Sequence, residues 1–182
     1  MRFPIAVAGL LFFVAAPLVA QETSPTYAGE EKRGIKALSA EEVESYRAGS
    51  GMGFGKAAEL NHYPGPMHVL ELAKDLGLDD SQATKTRAVY DRMHAEAVRL
   101  GSRVIEEERR LDRLFASASI DRQSLSRSVA EIARLQGEVR LAHLNAHLET
   151  RALLTPAQVA KYDALRGYGS GPVEHDPSRH GH

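Results

Sequence analysis

The sequence lacks cysteine altogether, and this absence excludes several kinds of chemistry. Without thiols the chain can form no disulfide, and it has no thiolate to act as a nucleophile or metal ligand. An excess of one charge is also lacking, because 23 Lys and Arg stand against 24 Asp and Glu, for a formal net charge of −1. Nucleic-acid binding depends on a clustered excess of basic side chains. The composition therefore argues against nucleic acid as a partner.

Long apolar runs are scarce, and the clearest one lies near the N-terminus. Residues 5–19 are mostly apolar, follow the basic Arg2 and precede the small Ala20. These are the parts of a secretory signal peptide. The run is shorter than the roughly 20 residues that a membrane-spanning helix needs. The sequence therefore predicts export to the periplasm, with residues 1–20 removed by cleavage near Ala20.

The remaining chain, about 160 residues long, suits one domain with a modest core. Residues 21–64 are predicted to form a flexible leader with a short helix and a glycine-rich loop. Residues 65–167 are predicted to form a helical domain. Residues 168–182 are predicted to form a disordered tail that contains histidines, namely His175, His180 and His182.

Three short motifs predict where helices begin. In a capping box, a Ser, Thr or Asp at the N-cap accepts from the backbone N–H three residues later, and a Glu or Gln at that later position reaches back. The proline that follows Thr155 also suits the first turn of a helix. The three predicted boxes are Ser39 with Glu42, Asp79 with Gln82, and Thr155 with Gln158.

Two apolar seams with alternating spacings of four and three predict two long helices. The first contains Tyr90, Met93, Ala97, Leu100, Val104, Leu111 and Leu114, and the second contains Leu125, Val129, Ile132, Gln136, Val139, His143 and Ala146. Glu107 interrupts the first seam, and the pattern breaks between the seams at residues 116–121. Such a short connection makes neighbouring helices antiparallel. The predicted fold is therefore all-α, a long antiparallel helical hairpin with flanking shorter helices.

Two L-x-x-x-Q motifs, at residues 78–82 and 154–158, flank this hairpin. In an exported helical protein the arrangement resembles the CpxP/Spy superfamily of LTxxQ-motif periplasmic proteins, which includes ZraP-like and CnrX-like heavy-metal resistance and sensor proteins. The resemblance covers roughly residues 67–167, with Asp79 where threonine is usual. It implies a hairpin-containing fold, often an intertwined dimer, and no catalysis. Members of the superfamily act as ATP-independent chaperones or bind metal and report envelope stress.

Eight histidines in a chain without cysteine make a transition-metal site the first chemical hypothesis. Neutral imidazole binds zinc, nickel, cobalt and copper. His143 and His147 share one helix face, and an antiparallel partner turning at the break between the seams brings Asp91 and His94 level with them. His68 is predicted to approach from the preceding helix. These five side chains are the predicted metal ligands, although exposed or core histidines would give the same pattern.

The resemblance adds to this hypothesis without matching it position for position. CnrX-like sensors draw nitrogen ligands from their first and third core helices and a carboxylate from the second. Leu72 occupies the place of their second first-helix histidine, and no methionine follows Met93 to supply a thioether from the third helix. The predicted function is nevertheless a non-enzymatic stress or heavy-metal resistance protein that binds a divalent transition metal as a sensor or accessory.

A second apolar row, Leu141, Leu144 and Leu148, lies outside the seam. It could pack against the helix that begins near Pro66, form a dimer interface, or bind clients of an ATP-independent chaperone, which is the alternative function. The predicted partners are accordingly a second copy of the chain, unfolded periplasmic proteins, or a membrane-bound stress or metal signalling protein.

No organic cofactor is predicted. No nucleophile has a recognisable base nearby in sequence, so no enzymatic activity is predicted.

Overall fold

The computed structural model describes residues 27–168. The predicted signal peptide and nearly all of the predicted tail lie outside the described residues. Helices make up 74% of the described residues, and no strand occurs among them. The all-α prediction is therefore confirmed. None of the helices within residues 27–168 is long and apolar enough to span a membrane.

The described chain contains seven α-helices after a short 3₁₀ turn at Glu30–Lys32. They are α1 (Ala40–Arg47), α2 (Lys56–Glu59), α3 (Pro66–Glu71), α4 (Ala73–Leu76), α5 (Asp80–Ala116), α6 (Arg122–Leu153) and α7 (Pro156–Arg166). Helices α5 and α6 have 37 and 32 residues and form the predicted antiparallel hairpin. The shorter helices pack against this hairpin and set the shape of the candidate site.

All three predicted capping boxes form. At the start of α1, Ser39 Oγ accepts from the Glu42 amide at 3.1 Å, and Glu42 Oε2 accepts from the Ser39 amide at 2.8 Å. The same reciprocal pattern starts α5 and α7 at the predicted residues. A fourth box, Asp121 with Ser124, starts α6 and was not predicted.

The hairpin has the predicted register. The turn spans residues 117–121, the predicted break between the seams. Arg92 pairs with Glu149 across the hairpin, and Arg103 pairs with Glu131 at 2.9 Å. The buried seam between the two helices includes Leu100, Val104, Leu135 and Val139.

The segment predicted as a flexible leader packs against the hairpin where the structure describes it. Ile35, Leu38 and Tyr46 are buried in the same core cluster as the seam residues of α5 and α6. Helix α1 crosses α5 at Gly101, where an added Cβ would lie closer than 3.0 Å to the carbonyl oxygen of Tyr46. The prediction missed this packing because the apolar residues involved lie in short pieces that carry no long periodic pattern.

A second core cluster lies at the opposite end of the hairpin and joins α3, α4 and α7. It contains Val69, Leu76, Leu154, Val159 and Tyr162. The helix predicted to begin near Pro66 does begin there, but it is interrupted at Leu72 between α3 and α4. This end of the molecule fixes α3 beside the hairpin and so forms one wall of a cavity.

Candidate functional site

A cavity of about 570 Å³ lies between the hairpin, α3 and the glycine-rich loop that precedes α2. Four of the five predicted metal ligands line it: His68 from α3, His94 from α5, and His143 and His147 from α6. The fifth, Asp91, is exposed and does not line the cavity. The structure therefore brings the predicted histidines to one place and leaves the predicted carboxylate outside it.

His147 is buried in a space that two glycines provide. Its Nδ1 lies 2.7 Å from the Tyr63 carbonyl oxygen, and because a carbonyl only accepts, Nδ1 carries the proton. The neutral ring therefore has its lone pair on Nε2. A Cβ at Gly55 would come closer than 3.0 Å to Nε2, and one at Gly65 would lie 3.0 Å from Cε1. The glycines allow the ring to occupy this position.

His94 and His68 are held in a similar way. His94 Nε2 lies 3.0 Å from the Ala48 carbonyl oxygen, so it donates there and leaves Nδ1 unprotonated in the neutral ring. The His94 ring also stacks on Tyr90, with centroids 5.6 Å apart. His68 Nδ1 lies 3.0 Å from a carboxylate oxygen of Glu71, which leaves Nε2 of the neutral ring unprotonated. Each ring thus keeps one nitrogen with a lone pair.

His143 is the most enclosed of the four, with 6% of the residue exposed. Its Nε2 is buried and has no hydrogen-bond partner among residues 27–168, and its ring stacks on Phe54 with centroids 5.8 Å apart. Burial lowers the pKa of His143, and charge repulsion from His147 and His94 lowers it further. The ring is therefore neutral at pH 7, and a buried unpaired nitrogen is costly unless something binds it.

A carboxylate that was not predicted also lines the cavity. Glu59 of α2 accepts from the Gly65 amide at 3.1 Å and from the hydroxyls of Tyr162 and Tyr168. Burial raises the pKa of Tyr162, and the hydrogen bond to Glu59 raises it further, so the hydroxyl remains a donor. Glu59 Oε2 lies 3.7 Å from His147 Nδ1. Glu59 therefore ties α2 to α7 beside the histidines, through contacts too distant in sequence to predict.

The four imidazoles share the cavity without forming a finished coordination site. Within residues 27–168, no three His, Asp or Glu side chains lie close enough together to hold one metal ion. Binding by several of these histidines therefore requires their side chains to turn toward the ion.

Three thioethers line the same cavity and were not among the predicted site residues. Met52, Met67 and Met93 are the only methionines after Met1, and all three line it. A sequence signal existed, because the dipeptide Met-His occurs twice, at residues 67–68 and 93–94, on α3 and α5. The cavity thus offers nitrogen and sulfur donors together.

The predicted apolar row lies on the outer surface of α6. Leu141 and Leu148 are each 55% exposed, and Leu144 is partly buried. Of the three interpretations of this row, packing against the helix after Pro66 does not apply to Leu141 and Leu148. The dimer and client interpretations both require such exposure.

These features define an all-helical hairpin protein with a histidine-lined cavity at one side. The LTXXQ motif family matches residues 66–166, more than half of the chain, and the chain belongs to this family. The match confirms the resemblance to the CpxP/Spy superfamily of LTxxQ proteins. Proteins of this family are typically periplasmic and are generally non-enzymatic stress or accessory proteins. The chain matches no curated protein and no solved structure.

Proposed function

We propose that this chain is a non-enzymatic periplasmic protein of stress or heavy-metal resistance that binds a transition-metal ion through the imidazoles of its cavity. The family supports the compartment, since its members are typically periplasmic. Arg2, the apolar residues 5–19 and the small Ala20 support export with cleavage near Ala20.

The observation that carries the proposal is the way the ring nitrogens are held. Metal-binding histidines almost always donate their other ring N–H to a carboxylate, a backbone carbonyl or water, which fixes the tautomer and orients the lone pair. His147 and His94 donate to the carbonyls of Tyr63 and Ala48. His68 donates to the Glu71 carboxylate. Three rings on three different helices thus each have one N–H held by an acceptor, as metal-binding histidines usually do, and this supports the proposal.

The donor set favours particular ions. Imidazole nitrogen suits zinc, nickel, cobalt and copper, whereas magnesium and calcium prefer oxygen. The buried Nε2 of His143 supplies a fourth nitrogen that lacks a partner. Because imidazole binds metal only when deprotonated, the lowered pKa of His143 keeps this ligand available at neutral pH.

The test is isothermal titration of zinc and nickel into the chain with its three tail histidines changed to alanine. These substitutions, at His175, His180 and His182, remove binding by the tail. His143→Gln and His147→Gln should each weaken binding by about tenfold or more, because each removes an imidazole from the cavity. Binding no tighter than about millimolar in the parent, or equal binding by both variants and the parent, would overturn the proposal.

Matched controls lie outside the cavity. His62 is exposed and pairs with Asp163 at 2.8 Å, so His62→Gln removes an imidazole without touching the cavity. Asp91→Asn removes the predicted carboxylate that the structure places at the surface. Both variants should bind as the parent does.

The row Leu141, Leu144 and Leu148, of which Leu141 and Leu148 are exposed, favours a second candidate function. Chaperones capture unfolded polypeptides through exposed apolar surface. An ATP-independent chaperone activity on this face of α6 would be compatible with metal binding in the cavity, because the row does not line it.

A further inference from the structure

Methionines and histidines line the cavity together. Met52 and Met67 are 38% and 46% exposed, whereas His143 and His147 are buried. Met52 and Met67 are therefore more open to solvent than the two imidazoles of α6. Met93 is partly buried beside His94 on α5. The cavity thus combines thioethers that solvent reaches with imidazoles that it does not.

Thioether sulfur is a soft donor, and this decides which ions it helps to bind. Soft ligands select Cu(I), whereas Zn²⁺ sites in proteins use thiolate, imidazole and carboxylate ligands. The chain has no thiolate to offer. Met52, Met67 and Met93 therefore increase the affinity of the cavity for a soft monovalent ion and not for zinc or nickel.

The spacing of the imidazoles also favours Cu(I) over zinc. No three His, Asp or Glu side chains in the described chain are close enough together to hold one ion. Zinc sites in proteins use three or four protein ligands. Cu(I) forms stable complexes with only two or three ligands. Methionine has three rotatable bonds beyond the backbone and can reach an ion without backbone movement. Thioethers can thus supply the further ligands that the imidazoles alone do not provide.

We propose that the cavity is a Cu(I) site in which thioethers of Met52, Met67 and Met93 join imidazoles of His143 and His147. The proposal rests on the proposed function, since it names the preferred ion of the same cavity. His143 Nε2 is buried and has no hydrogen-bond partner among residues 27–168, so a bound ion would satisfy a nitrogen that the described chain leaves unpaired. Binding involves no change of oxidation state when copper is supplied as Cu(I).

The experiment is an anaerobic competition for Cu(I) against a chromophoric chelator, using the full chain with its three tail histidines changed to alanine. The variant is the triple substitution Met52→Leu, Met67→Leu and Met93→Leu, which conserves volume and should leave the fold intact. Cu(I) affinity should fall by about tenfold or more. Zinc affinity of the same variant should not change, and circular dichroism should confirm its helicity.

X-ray absorption at the copper edge gives a second readout that does not depend on affinity. The parent should show sulfur and nitrogen scatterers around Cu(I), and the triple variant should show nitrogen without sulfur. Unchanged Cu(I) affinity in the triple variant, or no sulfur in the parent spectrum, would overturn the proposal.

Failure of the Cu(I) proposal is distinguishable from failure of the metal-binding function. If zinc and Cu(I) both bind, and both depend on His143 and His147 but not on the methionines, the cavity binds metal without Cu(I) selectivity. If neither ion depends on these two histidines, both proposals are wrong. A loss of Cu(I) and zinc binding together in the triple methionine variant would also contradict the thioether role.

Discussion

Gln82 and Gln158 hold each other by two reciprocal hydrogen bonds, with each Nε2 donating to the other's Oε1 at 2.9 Å. Each Oε1 also accepts from the backbone N–H of its own N-cap residue, Asp79 or Thr155. Each glutamine therefore closes its own capping box and is hydrogen-bonded to the glutamine at the start of the other helix. We call this pair, Gln82 and Gln158, the glutamine clasp. Only a side-chain amide can do both, because a carboxylate has no donor. This gives a physical reason for glutamine in both L-x-x-x-Q motifs.

The first prediction concerns this clasp. Gln158→Glu should keep the capping box but lose the donor to Gln82 and place two acceptors opposite each other. The free energy of unfolding should fall by about 1–3 kcal/mol, as measured by urea denaturation. Glu42→Gln is the matched control, because Glu42 closes a box without a glutamine partner, and it should change stability by less than about 0.5 kcal/mol. Equal effects of the two variants would exclude the clasp as a stabilising contact.

The second prediction compares two glycines within long helices. Gly101→Ala should destabilise the fold by about 1–3 kcal/mol, because its Cβ would push the Tyr46 backbone and α1 away from α5. Gly137→Ala meets nothing within 4 Å and should stabilise the fold by up to about 1 kcal/mol, the gain in helix propensity. Thermal melts of the two variants provide the measurement. Increased stability in both variants would show that α1 does not pack against α5 at Gly101.

The third prediction concerns pH. Unfolded His143 binds a proton near pH 6.5, but the folded ring, with its lowered pKa, binds one only at lower pH. The unfolded state therefore holds more protons in this window, and its stability relative to the folded state rises as pH falls below about 6.5. Urea denaturation at about pH 7.5 and 5.5 should show a loss of folding stability that is smaller in His143→Gln. An unchanged loss in His143→Gln would show that protonation of His143 does not cause it.

The fourth prediction concerns the exposed row on α6. Leu141→Ser with Leu148→Ser should leave helicity and melting temperature nearly unchanged, because both side chains are more than half exposed. If the row binds clients, the double variant should no longer suppress aggregation of an unfolded substrate in the absence of nucleotide.

Sedimentation of the same double variant separates the two remaining interpretations of the row. Loss of self-association with client protection retained would identify a dimer interface. A marked loss of folding would show that Leu141 and Leu148 belong to a core.

Local signals in the sequence predicted most of the hairpin. A capping box needs only residues three apart, and a seam needs only a repeat of spacing, so Thr155 and the start of α7 could be read from a few neighbours. The register followed from the turn alone, and the Arg103–Glu131 pair agrees with it. The prediction that His94, His143 and His147 lie at the same level along the hairpin came from the same position of the turn.

The cavity wall could not be predicted in this way. Gly55 and Gly65 lie beside His147, about ninety residues away in sequence, and nothing periodic marks their role. Glu59 meets Tyr162 across a similar distance. Asp91 was predicted as a ligand from its height along α5, but height does not fix the direction in which a side chain points around the helix.

The family match begins at residue 66, and Met52, Gly55 and Glu59 all lie before it. One wall of the cavity is therefore built from the shared hairpin and the opposite wall from the segment that precedes it. The two walls depend on each other, because Gly55 leaves room for the His147 ring and Glu59 accepts a hydrogen bond from Tyr162. Replacing residues 48–65 would therefore change the side chains that line the cavity and would also remove contacts that position His147 and α7.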